Sequence, residues 1–394
     1  MNKRIISVDL FRGLTVAFMI LVNNPGTWAH IYRPLDHAEW FGTTPTDWIF
    51  PFFLFIVGTS IVLAYMNRPT DNPKTYKRIV SRTLKLFLLG WLLGGFKYTW
   101  PFFRPVSHLR IPGVLVRIGF VFFMAALIFL FFKYLNKKFG FKTGLAFLIG
   151  LFLVIEIGYW YVMIGKDELT GGNVSELIQT KLNKHDNLAS QLDRKIFGVN
   201  HMWRHWDPEA GKIVQGDYDP EGFLSSFPAL ATAILGIFLG LILVRIKHPG
   251  KRLLWFLGLG ILLIVLGELW KPYFPYAKKL WTSSYVLYMG GLAFLIYALL
   301  YLLTEFVPYK AWTIPFVAMG MNAIAVFVLN GFIAKSFYIV KIHGKAVHSW
   351  IYHYTWGNWI HKPETASLMY ALSVVLFYVL ISLYLYRKKI FFKV

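Results

Sequence analysis

Residues 48–67 read WIFPFFLFIVGTSIVLAYMN, twenty positions without one charged side chain. A helix needs about 20 apolar residues to cross the hydrocarbon core of a bilayer, and this stretch meets that length. Comparable apolar runs recur on either side of it, at 8–28, 82–97, 112–132, 143–165, 222–244, 253–270, 280–304, 311–334 and 365–386. The expected architecture is an all-α, polytopic integral membrane protein with about ten transmembrane helices, or eleven. It forms one membrane domain over 1–394: five spans in 8–165, a long loop at 166–220, and five spans in 222–386.

Composition agrees. Of 394 residues, 57% are hydrophobic and only 15% charged, against about 25% charged in a soluble domain. Mean hydropathy is +0.52. Trp and Tyr sit near the ends of the apolar runs, where interfacial belts form. With no Cys, disulfides, thiolate nucleophiles and Cys-ligated metals are excluded. His residues are scattered and HExxH is absent, so no metal is expected. The net charge of +22 does not point to nucleic acid, because the cations gather in short loops between spans. Loops at 68–78, 133–142, 245–252 and 387–389 carry them, along with Lys3 and Arg4, whereas the 166–220 loop offsets seven cations with nine acids. The positive-inside rule puts both termini in the cytoplasm and the 29–46 loop outside, in a cell (inner) membrane with lipid as its surroundings. The first run carries Asp9 and Arg12 and lacks a small-residue cleavage site, so it reads as a retained helix and not a signal peptide.

Ionisable groups near membrane depth are costly and tend to mark a site. Asp36-His37-Ala38-Glu39-Trp40 lies in the loop between the first two spans. A neutral imidazole can take a proton from an attacking amine or hydroxyl while a carboxylate orients it; a solvated interfacial His is the structural alternative. Asn23-Asn24-Pro25-Gly26 ends the first span, and its amides could bind an oxyanion or simply cap the helix. Asp47 opens the second span, where a carboxylate suits the helix dipole and lies close to His37. Arg12 three residues after Asp9 reads as an ion pair or an anion ligand. Arg110 and Arg117 are seven apart on nearly one face and could grip phosphates, although Glu156 is an equal partner for Arg117. In the long loop, His201, Trp203 and Glu221 suit a sugar or the loop's own packing. Asn322, beside Gly320, suits helix packing.

Taken together, these segments resemble the transmembrane acyltransferases related to lysosomal heparan-alpha-glucosaminide N-acetyltransferase, which include bacterial NagX-like members. The resemblance rests on an ordered series: Ser7-Val8-Asp9-Leu10-Phe11-Arg12-Gly13, Val22-Asn23, His37-Ala38-Glu39-Trp40-Phe41-Gly42, Arg110-Ile111-Pro112-Gly113, Tyr218-Asp219-Pro220-Glu221-Gly222, Leu280-Trp281-Thr282-Ser283-Ser284 and Gly320-Met321-Asn322. It implies transfer of acetyl from cytosolic acetyl-CoA, as cosubstrate, to the amino group of a glucosamine-type sugar across the membrane. It implies catalytic roles for His37 and Asn23, with Asn24 as the alternative to Asn23, since Asn24-Pro25-Gly26 replaces a Gly-rich run. Asp47 joins them as a catalytic residue, with Asp36 or Asp47 helping the base. The remaining expectations are an acceptor held by Asp36, Glu39, Trp40, His201, Trp203, Glu221 and Asn322; CoA phosphates held by Arg12, Arg110 and Arg117; no metal; no nucleic acid; and a homodimer. O-acylation of an envelope glycan, transport of a sugar or lipid-linked sugar, and a non-catalytic scaffold are the rival readings.

Overall fold

The computed structural model describes residues 5–97, 100–165, 174–207, 212–307 and 309–392. Ten helices or helix pairs stand where ten spans are expected. They are α1 (Ile6–Asn23), α2 (Pro45–Tyr65), α3 (Pro73–Gly95), α4 (Val114–Phe139), α5 (Phe141–Ile164), then, beyond α6 (Val174–Lys181) and α7 (Leu188–Phe197), α8 (Ser226–Arg245), α9 (Pro249–Trp270), α10 (Ser283–Glu305), the pair α11 (Ile314–Met321) and α12 (Ala323–Ile339), and, after the short α13 (Val347–Tyr352), α14 (Pro363–Arg387). The protein is mostly helical and multi-pass: among the described residues eight helices are long and apolar enough to cross a bilayer, nine if the α11–α12 pair counts as one span.

Two elements depart from the simple expectation. Helix α3 begins nine residues before the expected 82 and carries Lys74, Lys77, Arg78, Arg82 and Lys85, so it fails as an apolar span despite its 23 residues. The ninth expected span is broken: α11 and α12 meet at Asn322 with a bend of 72°. Breaking a helix frees backbone groups, which is tolerated at membrane depth only where other groups satisfy them. Here the Asn322 amide donates to the Ile390 carbonyl at 3.1 Å and accepts the Phe392 N–H at 2.9 Å. The C-terminal segment is thereby tied into the break.

Helix α2 is the centre of the bundle and packs along α8. Contact is close because both helices present glycine: a Cβ on Gly58 would meet the Ala233 carbonyl, and one on Gly236 the Phe55 carbonyl. Small residues of this kind let membrane helices approach. Thr59 donates across the crossing to the Gly236 carbonyl at 3.0 Å. Helix α1 packs on α2, α11 and α14.

The two ends of the bundle are distinct. Residues 5, 67 and 310 line one space at the end holding both chain ends, whereas Gly26 bonds to Ser367 near the start of α14 at the other. Over that second end, α6, α7 and an antiparallel ribbon, β1 (Arg204–Asp207) with β2 (Lys212–Gln215), form a cap. A second ribbon, β3 (Lys341–Ile342) with β4 (Lys345–Ala346), precedes α13.

Candidate active site

The site is built on the first turn of α2. Thr44 caps this helix in a reciprocal capping box with Asp47, which satisfies N-terminal N–H groups the helix cannot pair itself. The cap fixes the Asp47 carboxylate. Its Oδ2 accepts the backbone N–H of Thr44 at 3.0 Å and of Ala38 at 3.1 Å. Its Oδ1 lies 2.7 Å from Nδ1 of His37. A carboxylate only accepts, so the Nδ1 proton sits in that bond and Nε2 is left with its lone pair. Asp47 is 1% exposed and His37 is exposed: a buried anion orients an accessible imidazole.

Asp36, which precedes His37, serves the loop instead. Its carboxylate accepts the backbone N–H of His37 at 2.8 Å, and its carbonyl accepts the Thr44 hydroxyl at 2.6 Å. A third charged group was missed by sequence reasoning. Lys278, from the α9–α10 loop, puts Nζ 3.3 Å from Asp47 Oδ1 and 3.0 Å from His37 Nδ1. Burial lowers its pKa and the Asp47 charge pulls it back up. Its neighbour Lys279 donates to the Glu39 carbonyl at 2.5 Å, and burial, with Lys184 and Lys278 nearby, lowers it to about 8. Lysines in a loop 240 residues away carry no sequence signal linking them to His37.

His37 and Asn23 line a common cavity of about 160 Å³ with Lys278, Glu221 and the apolar walls of α1, α2, α4 and α12. The neighbouring Asn24 is committed elsewhere, donating to the Ile20 carbonyl at 2.7 Å. Phe53, Ile118 and Ile324 belong both to this cavity and to a second one of about 520 Å³. The second cavity opens towards the end of the bundle that holds both termini. Arg12, Arg68, Arg78, Arg82 and Lys85 line it, and among the described residues no carboxylate does. Three of these cations fall at 78, 82 and 85, the spacing that sets side chains on one helical face. Arg82 lies over the Phe122 ring at 4.5 Å, and its Nε has no hydrogen-bond partner. Arg12 bonds Ser60 at 2.7 Å and Asp9 at 3.2 Å.

The other residues singled out from sequence fall into separate groups. Arg110 is held by Asp219 through two bonds of 2.9 and 2.5 Å and by Glu221 at 2.5 Å. Burial opposes its charge, but the two carboxylates outweigh that and raise its pKa. Arg117 is 1% exposed, bonds Ser225 at 2.5 Å and the Gly222 carbonyl at 3.1 Å, and lies over Trp281. It makes no ion pair with Glu156, whose carboxylate oxygens are unpartnered. Both arginines stand at the His37 end, away from the cavity that Arg12 lines. His201 bonds the Leu109 carbonyl at 2.7 Å, and the Trp203 N–H reaches Asp219 at 2.9 Å. The first of these contacts, with the bond from the Ile111 N–H to the His201 carbonyl, seats the cap on the 109–111 segment. Trp40 donates to the Leu182 carbonyl at 2.8 Å and packs on Tyr218, tying the His37 loop to the cap. Glu39 meets solvent. Asn322 lies at the far end, its amide occupied by the C-terminal segment. Among the described residues no cluster of three or more His, Cys, Asp or Glu forms a metal-binding group.

The chain is thus a multi-pass helical bundle with a carboxylate–imidazole pair beside one cavity and, on the other side of a wall shared through Phe53, Ile118 and Ile324, a cation-lined cavity. Residues 4–169, which hold α1 to α5 and the His37 loop, match the family described as Heparan-alpha-glucosaminide N-acetyltransferase, catalytic. The whole chain is similar to heparan-alpha-glucosaminide N-acetyltransferase of Mus musculus, at 29% identity over 100% of this chain and 61% of the relative. The Homo sapiens protein of the same name is also 29% identical, over 99% of this chain and 60% of its own length. The chain is a homologue of these proteins and spans about three fifths of their length.

Proposed function

We propose that the protein is a membrane acetyltransferase that moves acetyl from acetyl-CoA to the amino group of a glucosamine-type sugar. The observation that carries this reading is the His37–Asp47 pair sharing one cavity with Asn23, next to a cavity lined by five cations. Acetyl-CoA supplies an acetyl group already activated as a thioester. Its phosphates suit the Arg12, Arg68, Arg78, Arg82 and Lys85 cavity, where five cations and an unpartnered buried guanidinium nitrogen, with no carboxylate among the described lining residues, favour an anion. Arg78, Arg82 and Lys85 replace Arg110 and Arg117 as the phosphate ligands in this proposal, because the latter two are bonded at the other end.

Asp47 holds His37 with Nε2 free. That nitrogen takes the ammonium proton of the acceptor and releases it to solvent; the neutral amine attacks the thioester carbonyl, and His37 takes the second proton that the nitrogen sheds as the amide forms and the carbon–sulfur bond breaks. The proton on His37 then passes to the departing thiolate. The Asn23 amide faces the carbonyl oxygen as negative charge gathers on it. With the cation-rich loops on the cytoplasmic side, cosubstrate enters from the cytoplasm and acceptor from outside, in direct transfer without an acetylated His.

The test is transfer of labelled acetyl from acetyl-CoA to glucosamine by purified protein, wild type beside His37→Ala. Transfer lost in a folded mutant supports the proposal. Transfer retained in the mutant removes His37 from the chemistry, and a wild type inert towards amines but active on hydroxyl acceptors replaces N-acetylation with O-acetylation.

A further inference from the structure

A third cavity, of about 810 Å³, lies between the end of α1, α12, α13 and α14. Its size falls within the range of small-molecule sites. Among its lining residues Trp28 is exposed, whereas Asn330 and Tyr378 are buried. Tyr378 follows Pro363, the first residue of α14, by fifteen positions, about 22 Å of helix. The lining that α14 gives the cavity runs from Tyr370 to Tyr378, about 12 Å of helix, against about 15 Å of hydrocarbon in one leaflet. Phe377 of its lining is 48% exposed.

Three observations make this space more than a packing fault. Its wall is aromatic and apolar, with Phe337, Tyr338, Tyr370 and Phe377 among its lining. Asn330 and Tyr378 are 5% and 1% exposed, and Oδ1 of the one and the hydroxyl of the other have no protein partner, so protein packing does not close the space they face; a hydrocarbon does not partner these two atoms, and they take no part in holding the chain. Finally, Asn23 lines both this cavity and the one containing His37. A molecule whose hydrocarbon chain lies in the third cavity therefore presents its head group beside Asn23 and His37.

We infer that this cavity binds the hydrocarbon chain of the acceptor itself, and that the acceptor is a lipid-linked amino sugar. The inference rests on the acetyltransferase reading for the chemistry at the head group, while the chain site stands on the cavity alone. The cosubstrate is no rival occupant, because its cation-lined cavity lies at the opposite end. An ordinary phospholipid would fill the apolar wall but gains nothing from the opening at Asn23.

The experiment compares glucosamine with dodecyl β-glucosaminide as acceptors for the full chain in phosphatidylcholine nanodiscs. Burying the chain is expected to raise kcat/KM for the alkyl sugar by at least about tenfold. Ala334, on the cavity wall, is replaced by Trp, and by Leu in case the larger residue disturbs folding; either lowers the ratio of the two kcat/KM values towards one. Equal kcat/KM for the two acceptors in wild type overturns the inference. A chain-end diazirine on dodecyl β-glucosaminide gives a readout that needs no turnover, so that inactivity towards both acceptors defeats the acetyltransferase reading without deciding the chain site. Labelling concentrated on α12 and α14 supports the site. Labelling spread over the lipid-facing surface, or suppressed as well by added phospholipid as by unlabelled dodecyl β-glucosaminide, overturns it.

Discussion

Nδ1 of His37 lies 2.7 Å from Oδ1 of Asp47, and the same carboxylate closes the first turn of α2. One side chain thus performs two tasks, fixing a helix start and fixing an imidazole. Asp47→Asn separates them, since Asn is also a good capping residue. An amide can offer its NH₂ to Nδ1 and so favour the wrong tautomer. The helix should persist by circular dichroism while kcat for acetyl transfer falls by about 10²–10⁴-fold. A kcat within twofold of wild type would detach Asp47 from the chemistry.

Arg78 and Arg82 face the cation-lined cavity from α3. If phosphates dwell there, Arg78→Gln and Arg82→Gln each remove a charge-assisted bond of about 1.5–3 kcal/mol. KM for acetyl-CoA should rise about 10-fold or more with kcat little changed, and the loss should shrink at high salt. An unchanged KM in both variants would place the phosphates elsewhere.

Arg110 anchors the cap to the bundle through Asp219, a residue with no exposed side-chain surface, and through Glu221. Arg110→Met leaves a buried carboxylate without its cation, at a cost of about 3–5 kcal/mol. Thermal unfolding of the purified protein should report this as a lowered midpoint. Protease cutting within 174–207 should rise with it, since the cap loses its tether. A wild-type midpoint would show that the ion pair is dispensable.

Asp193 in α7 is buried, and burial raises its carboxyl from 3.8 to about 7; the Phe223 N–H resists this and Asp219 adds to it. Between those two values the folded cap holds a proton that the unfolded chain has lost. Stability of the cap therefore declines as pH rises from about 4 to 7 and stays low above that. Hydrogen exchange in α7 should be slower at pH 5 than at pH 8. Asp193→Asn, which can still accept the Phe223 N–H through Oδ1, should flatten that dependence, and a mutant with the wild-type slope would assign it to another group.

Much of the architecture was legible because apolar length is a local property of the chain. All ten expected spans coincide with helices or helix pairs, and His37 was visible from its acidic surroundings. The departures have local causes as well. Arg78 read as part of a topology signal and Arg82 and Lys85 were not singled out, and only the place of all three on one face of α3 shows that they line a cavity. Asn322 read as packing glue, although a polar residue between two apolar runs also fits a helix break. Lys278 was not legible at all, because its meeting with His37 depends on how α9 and α10 return the chain to the start of α2. The contacts of Arg110 with Asp219 and Glu221 were hidden for the same reason: each residue appeared in the sequence, but their pairing across 109 positions did not.

The bond between Asn322 and the segment at 390–392 also sets an order of events during synthesis. Asn322 leaves the ribosome 68 residues ahead of Ile390, so α11 and α12 reach the membrane with their polar junction still open. Phe392 is part of the wall of the cation-lined cavity. That wall is completed only after α14 has been made, so the cavity takes its final shape as the last step of the chain's assembly.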